Sequence, residues 1–100
     1  MRKGTTPTHI FTIPFDTAIV KEALVVYAQD DKEVFRKDTF DCMMDGKNIG
    51  VALTQEETLS FDHNRNVQVQ LRVLTTEGDS YVSDVWVVSA NQCLSKEVIL

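Results

Sequence analysis

In Asn66-Val67-Gln68-Val69-Gln70-Leu71-Arg72-Val73, the apolar residues Val67, Val69, Leu71 and Val73 alternate with Gln68, Gln70 and Arg72. A period of two places one set of side chains on each face of an extended chain. The segment therefore predicts a strand with one face buried and one in water, the normal condition of an antiparallel sheet. Asn48 to Leu53 repeats the pattern, with Ile49, Val51 and Leu53 on the inner face and Asn48, Gly50 and Ala52 on a flat outer one.

Working outward, His9 to Ile13 alternates around Phe11, and Ile19 to Gln29 is a longer, mostly apolar run suited to a well-covered strand. Glu33 to Lys37 and Thr39 to Met43 read as further extended segments. They are set off by the turn sequences Gln29-Asp30-Asp31-Lys32 and Asp45-Gly46-Lys47. Glu77-Gly78-Asp79 separates the Val67–Val73 strand from a last long strand, Tyr81 to Ala90. Pro14 lacks an amide for a ladder and ends the first strand. Thr54-Gln55-Glu56-Glu57 is the exception, because Thr followed by Glu three positions on is a capping box. It predicts one short helical turn that carries the chain from one sheet to the other, with Leu59 and Phe61 plugging the end of the core. Val, Ile and Thr number 13, 5 and 10, and these β-branched types favour a pleated sheet over a helix. The expected fold is all-β: an immunoglobulin-like antiparallel β-sandwich of about seven strands with one helical turn. Residues 1–7 are expected to be a flexible arm and 8–100 a single domain.

The chain has 100 residues, 10 Lys+Arg and 15 Asp+Glu, for a net charge of −5. That balance argues against nucleic-acid binding, which draws its affinity from clustered Lys and Arg. The longest apolar run, Ala23 to Ala28, is 6 residues, against the roughly 18 a membrane helix needs. Polar residues follow Met1-Arg2-Lys3 where an export signal would be apolar, so a cytoplasmic setting is expected. Cys42 and Cys93 form no CxxC pair, and neither has a histidine at ligand spacing, so both are expected as reduced thiols without a metal or a catalytic base.

Candidate sites are few. The acidic pairs Asp30-Asp31 and Glu56-Glu57 lie in a turn and a helix start, and Asp38, Asp41 and Asp45 do not match a calcium loop. Turn chemistry and solubility account for them. His63, beside Asp62, has no paired nucleophile, and His9 reads as a solvated or core-edge residue. The glycines are isolated, so no phosphate loop exists. No enzyme, cofactor or small-molecule substrate is expected. Strict alternation through Tyr81 to Val88 groups Trp86 with Val82, Asp84 and Val88, opposite Tyr81, Ser83, Val85 and Val87. If Val85 and Val87 point inward, Trp86 stands on the outer face, where a large ring marks a partner surface. The alternative is that both faces of this strand are covered.

The stretches Thr8-His9-Ile10-Phe11-Thr12-Ile13-Pro14-Phe15, Leu53-Thr54-Gln55-Glu56-Glu57-Thr58 and Val69-Gln70-Leu71-Arg72-Val73-Leu74-Thr75, with Gly78, carry a resemblance. In them the sequence resembles short proteins encoded in phages and prophages of Gram-positive gut bacteria. The resemblance implies a small β-sandwich from a tail, baseplate or neck module, and supplies no active residues. It implies a non-catalytic structural or assembly protein, made in the bacterial cytoplasm and then built into the virion, whose partners are other virion or tail proteins or a second copy. Partner contacts are expected at Trp86, at Asp30, Asp31 and Lys32, and at His63 and Arg65 within Asp62 to Asn66. A carbohydrate- or receptor-binding module, stacking sugars on Trp86, Tyr27 or Tyr81, is the alternative.

Overall fold

A computed structural model of the chain describes residues 6–62, 64–94 and 97–100. Among these residues are nine strands: β1 (Thr8–Thr12), β2 (Val20–Gln29), β3 (Lys32–Lys37), β4 (Cys42–Asp45), β5 (Asn48–Ala52), β6 (Val67–Thr75), β7 (Ser80–Val82), β8 (Trp86–Val88) and β9 (Glu97–Ile99). Two short helices, α1 (Gln55–Leu59) and α2 (Ala90–Cys93), interrupt them. One sheet has the order β4-β5-β1-β9; in the other β3-β2-β6 continues into β7 and β8, which both pair with β6. The described strand pairs are antiparallel except β1 with β9, which is parallel. The all-β sandwich is thus as expected, with more and shorter strands.

The buried faces follow the alternation. Val67, Val69, Leu71 and Val73 on β6 are buried and meet Ile49, Val51 and Leu53 of the other sheet in one core. β2 presents Ala23, Val25 and Tyr27 to it, β1 presents Phe11, and Ile13 joins them just past the end of β1. The turns take backbone shapes their residues tolerate. Gly46 and Gly78 have φ of +57° and +89°, and Asp30 and Asp31 have +52° and +63° between β2 and β3. Two successive left-handed residues match the twist of a hairpin, and aspartate tolerates that region better than most side chains.

Several expectations are corrected. Thr39–Asp41 is a 3-10 turn rather than strand, because the Asp38 carboxylate accepts from the Phe40 amide at 3.1 Å and Asp41 reaches back to the Asp38 amide at 3.2 Å. Pro7, assigned to the arm, is buried, and its carbonyl accepts from Leu53 at 2.9 Å, while Met1–Thr5 lie outside the described residues. The capping box of α1 forms as expected and Phe61 is buried, but Leu59 stays exposed, and Thr58 is the buried residue of the turn.

The largest correction concerns Tyr81 to Ala90, which is not one strand. Three steps along β6, from Arg72 to Val69, are matched by four along the facing chain, from Val82 to Trp86. One extra residue is therefore accommodated between β7 and β8, as in a β-bulge. Ser83 makes this possible. Its amide donates to the Leu71 carbonyl at 2.9 Å and its hydroxyl accepts from the Leu71 amide at 3.0 Å, so one residue satisfies both backbone groups of Leu71. A slip of one residue turns every later side chain to the other face. Trp86 and Val88 consequently pack against the core, whereas Val85 and Val87 are 49% and 59% exposed. The expected inward Val85 and Val87 with an outward Trp86 is reversed.

Candidate functional site

The two loops named as contact candidates, 35 positions apart in sequence, come together at one end of the sandwich. Gln29, the last residue of β2, is buried and acts as the staple. Its side-chain amide donates to the carbonyls of Asp62 and Arg65 at 2.9 and 3.2 Å, and its oxygen accepts from the Asp62 amide at 2.9 Å. A buried amide with its groups so paired fixes a loop more firmly than exposed charges do. Above it, the Arg65 guanidinium donates to Asp62 at 3.1 Å and to Asp30. These side chains are about half exposed, so the ion pairs arrange the loop more than they stabilise it. Gln68 closes the other side, accepting from the Asp31 amide and donating to the Asp31 carboxylate, both at 3.0 Å. Lys32 is exposed at the start of β3, and His63 lies outside the described residues.

Beside this loop end runs an apolar strip. Val87 lines a shallow cleft with Asp30, Asp31, Asp62, Arg65 and Gln68. Val85 lines the neighbouring one with Val26, Ala28 and Gln70, and Asp31 and Gln68 belong to both. The result is a small apolar centre rimmed by paired polar groups, the anatomy of a protein contact. Trp86, the expected leading contact, is instead its foundation, packed at 5.3 Å between ring centroids against Phe11 of the opposite sheet. The rings considered for sugar stacking are likewise engaged: Tyr27 stacks on Phe35 at 4.8 Å and Tyr81 meets Phe15 edge-on at 5.7 Å.

Three residues that the sequence does not connect meet in the core. His9 is fully buried, not at the core edge, with Nδ1 2.6 Å from the Tyr27 hydroxyl and Nε2 2.9 Å from the Cys93 carbonyl. Only an N–H can face a carbonyl, so Nε2 carries the proton and the Tyr27 hydroxyl donates to Nδ1. The neutral ring is satisfied on both sides. The Cys93 thiol lies 3.8 Å from the same Nε2, a proximity that sequence spacing does not show, and because that nitrogen carries the proton it offers the thiol no base. Burial pushes that thiol up to about 12, and Cys93 has no exposed surface, so no thiolate is offered to a substrate. Burial also lowers the His9 pKa below its ordinary 6.5, against a smaller opposing effect of the Cys93 carbonyl. The unfolded chain then takes up a proton near 6.5 that the folded chain refuses. Folding stability is expected to be level above that pH and to fall as pH drops toward the folded value, by up to about 1.4 kcal/mol per unit. Urea unfolding followed across this range checks it, and a stability that rose on acidification would contradict it. Tyr27→Phe is expected to cost about 1–3 kcal/mol at neutral pH by leaving Nδ1 without a donor.

Among the described residues no group of three or more His, Cys, Asp or Glu is placed to hold a metal ion, and no helix is long and apolar enough to cross a membrane. Cys42 and Cys93 are free thiols. No protein-family model, no curated protein and no solved structure matches this chain.

Proposed function

We propose that this protein works by non-catalytic association with other proteins, and that its contact surface is the valine strip of Val85 and Val87 with the joined loops of Asp30–Lys32 and Asp62–Asn66. The observation that carries the reading is the register slip at Ser83. It turns two valines into solvent beside a loop end that Gln29 and Gln68 hold in place. A pre-arranged apolar centre with a polar rim limits the ordering cost of binding. The phage-like motifs supply the class of partner: other proteins of a tail, baseplate or neck module.

The test is recovery of virion proteins, identified by mass spectrometry, on the tagged chain and on a Val85→Asp/Val87→Asp variant. Both substitutions lie on exposed side chains and are expected to leave the circular dichroism spectrum unchanged while reducing recovery at least tenfold, as loss of a central apolar contact does. Equal recovery by both chains would remove this strip from the interface. Recovery of no virion protein by either would defeat the assembly reading.

A further inference from the structure

The first sheet ends in β4, and antiparallel alternation fixes which backbone groups that edge leaves open. Across β1 and β5, Leu53 donates to the Pro7 carbonyl and Ile13 to the Lys47 carbonyl, both at 2.9 Å. The odd-numbered residues of β5 therefore turn their amides and carbonyls toward β1. Asn48 and Gly50 turn theirs to β4, where they face Asp45 and Met43. Cys42 and Met44 must then point theirs away from the sheet. The Cys42 amide is already bonded to the Thr39 carbonyl. The Cys42 carbonyl and both backbone groups of Met44 remain as a short template for another strand.

The side chains around this edge have a definite chemistry. Met43 on β4 is 58% exposed, a large apolar group set against water, while Phe40, 97% exposed in the turn before β4, borders the outer face of the second sheet beside Leu24 and Leu74. Asp38, Asp41 and Asp45 are exposed around them, and none takes part in the ion pairs found among the described residues. The outer strand of the second sheet, β3, is different: Lys32, Glu33 and Arg36 put both signs of charge along it, the usual guard against strand addition. Around β4 three exposed carboxylates stand against one exposed lysine, Lys47 in the turn that follows it. A second copy of the chain would bring the same three carboxylates to the seam, so a segment of opposite charge is favoured.

We propose that β4 accepts an extended segment of a partner protein, basic and apolar by turns, as an added strand. Main-chain bonds to Cys42 and Met44 would hold it, its apolar side chains would cover Met43, and its Lys or Arg side chains would meet Asp38, Asp41 and Asp45. This edge lies on the sheet opposite the valine strip, and either surface can fail without the other.

The test is a titration of the ¹⁵N-labelled full chain with a synthetic peptide of alternating lysine and valine, and with a second of alternating glutamate and valine. The amide signals of Cys42 to Asp45 are expected to shift saturably with the lysine peptide alone. Met44→Pro removes an amide that serves no bond within the sheet and is expected to abolish the shifts. Met43→Ser is expected to weaken binding about tenfold, and Asp45→Lys to weaken it also. Those two changes sit on exposed side chains and keep the test readable if the proline variant does not fold. No shifts, shifts centred on another face, or equal response to the glutamate peptide would overturn the proposal. So would concentration-dependent shifts of these amides without peptide, which would mean that a second copy occupies the edge.

Discussion

Trp86→Ala is expected to destabilise the fold by about 3 kcal/mol, the lower end for removing a large aromatic side chain from a core, because the ring is partly rather than fully buried. Its loss opens a void between the sheets beside Phe11, whose ring centroid lies 5.3 Å away. The void cannot close cheaply, since Val69 on β6 is held by ladders on both sides and Phe11 on β1 is paired with Ile49. Urea unfolding measures the change. Trp86→Phe, which keeps a ring in place, is expected to recover most of it. A Trp86→Ala protein as stable as wild type would mean that the indole contributes no packing.

Glu57→Ala is expected to cost about as much, for a different reason. One carboxylate does two things: it accepts from the Thr54 amide at 2.8 Å to complete the capping box, and it accepts from the Lys37 ammonium at 2.7 and 2.9 Å. Lys37 is buried on β3, so removing its partner strands an ammonium away from water. Breaking such a pair costs about 3–5 kcal/mol, to which the lost cap adds roughly 1. Because Glu57 retains some exposure, a total near 3 kcal/mol is expected by urea unfolding. Adding Lys37→Met is expected to restore much of the loss, since an apolar side chain fills the site without a charge. A loss below about 1 kcal/mol would show that Lys37 reaches water without Glu57.

Period-two patterning made β5 and β6 legible, because each has one wet and one dry face and a wrong register would have exposed the whole apolar set. The turn at Asp30-Asp31 and the cap at Thr54 were legible because local hydrogen bonding and left-handed backbone shapes select those residue types. The break at Ser83 was not. Serine is common in strands and loops alike, and only the Leu71 groups opposite reveal that its hydroxyl stands in for a carbonyl of the ladder. With four consecutive apolar residues from Val85 to Val88, nothing downstream restores the phase, so strict alternation assigns Trp86 to the wrong face. The meeting of Asp30 with Arg65, and of His9 with Tyr27 and Cys93, depends on which strands become neighbours. Residue spacing carries no information about that. Lys37 facing inward was equally hidden, since its burial makes sense only with Glu57 arriving from α1.

The claim on which the association surface depends is that the slip at Ser83 turns Trp86 in and Val85 and Val87 out. A two-dimensional nuclear Overhauser spectrum of the folded chain tests it directly, because Trp86 is the only tryptophan and its indole signals are unambiguous. Cross-peaks between the Trp86 indole and the Phe11 ring are expected, with none from the Val85 and Val87 methyls to Phe11. Valine methyl cross-peaks to Phe11 with an indole that shows none would place the tryptophan in solvent and contradict the account.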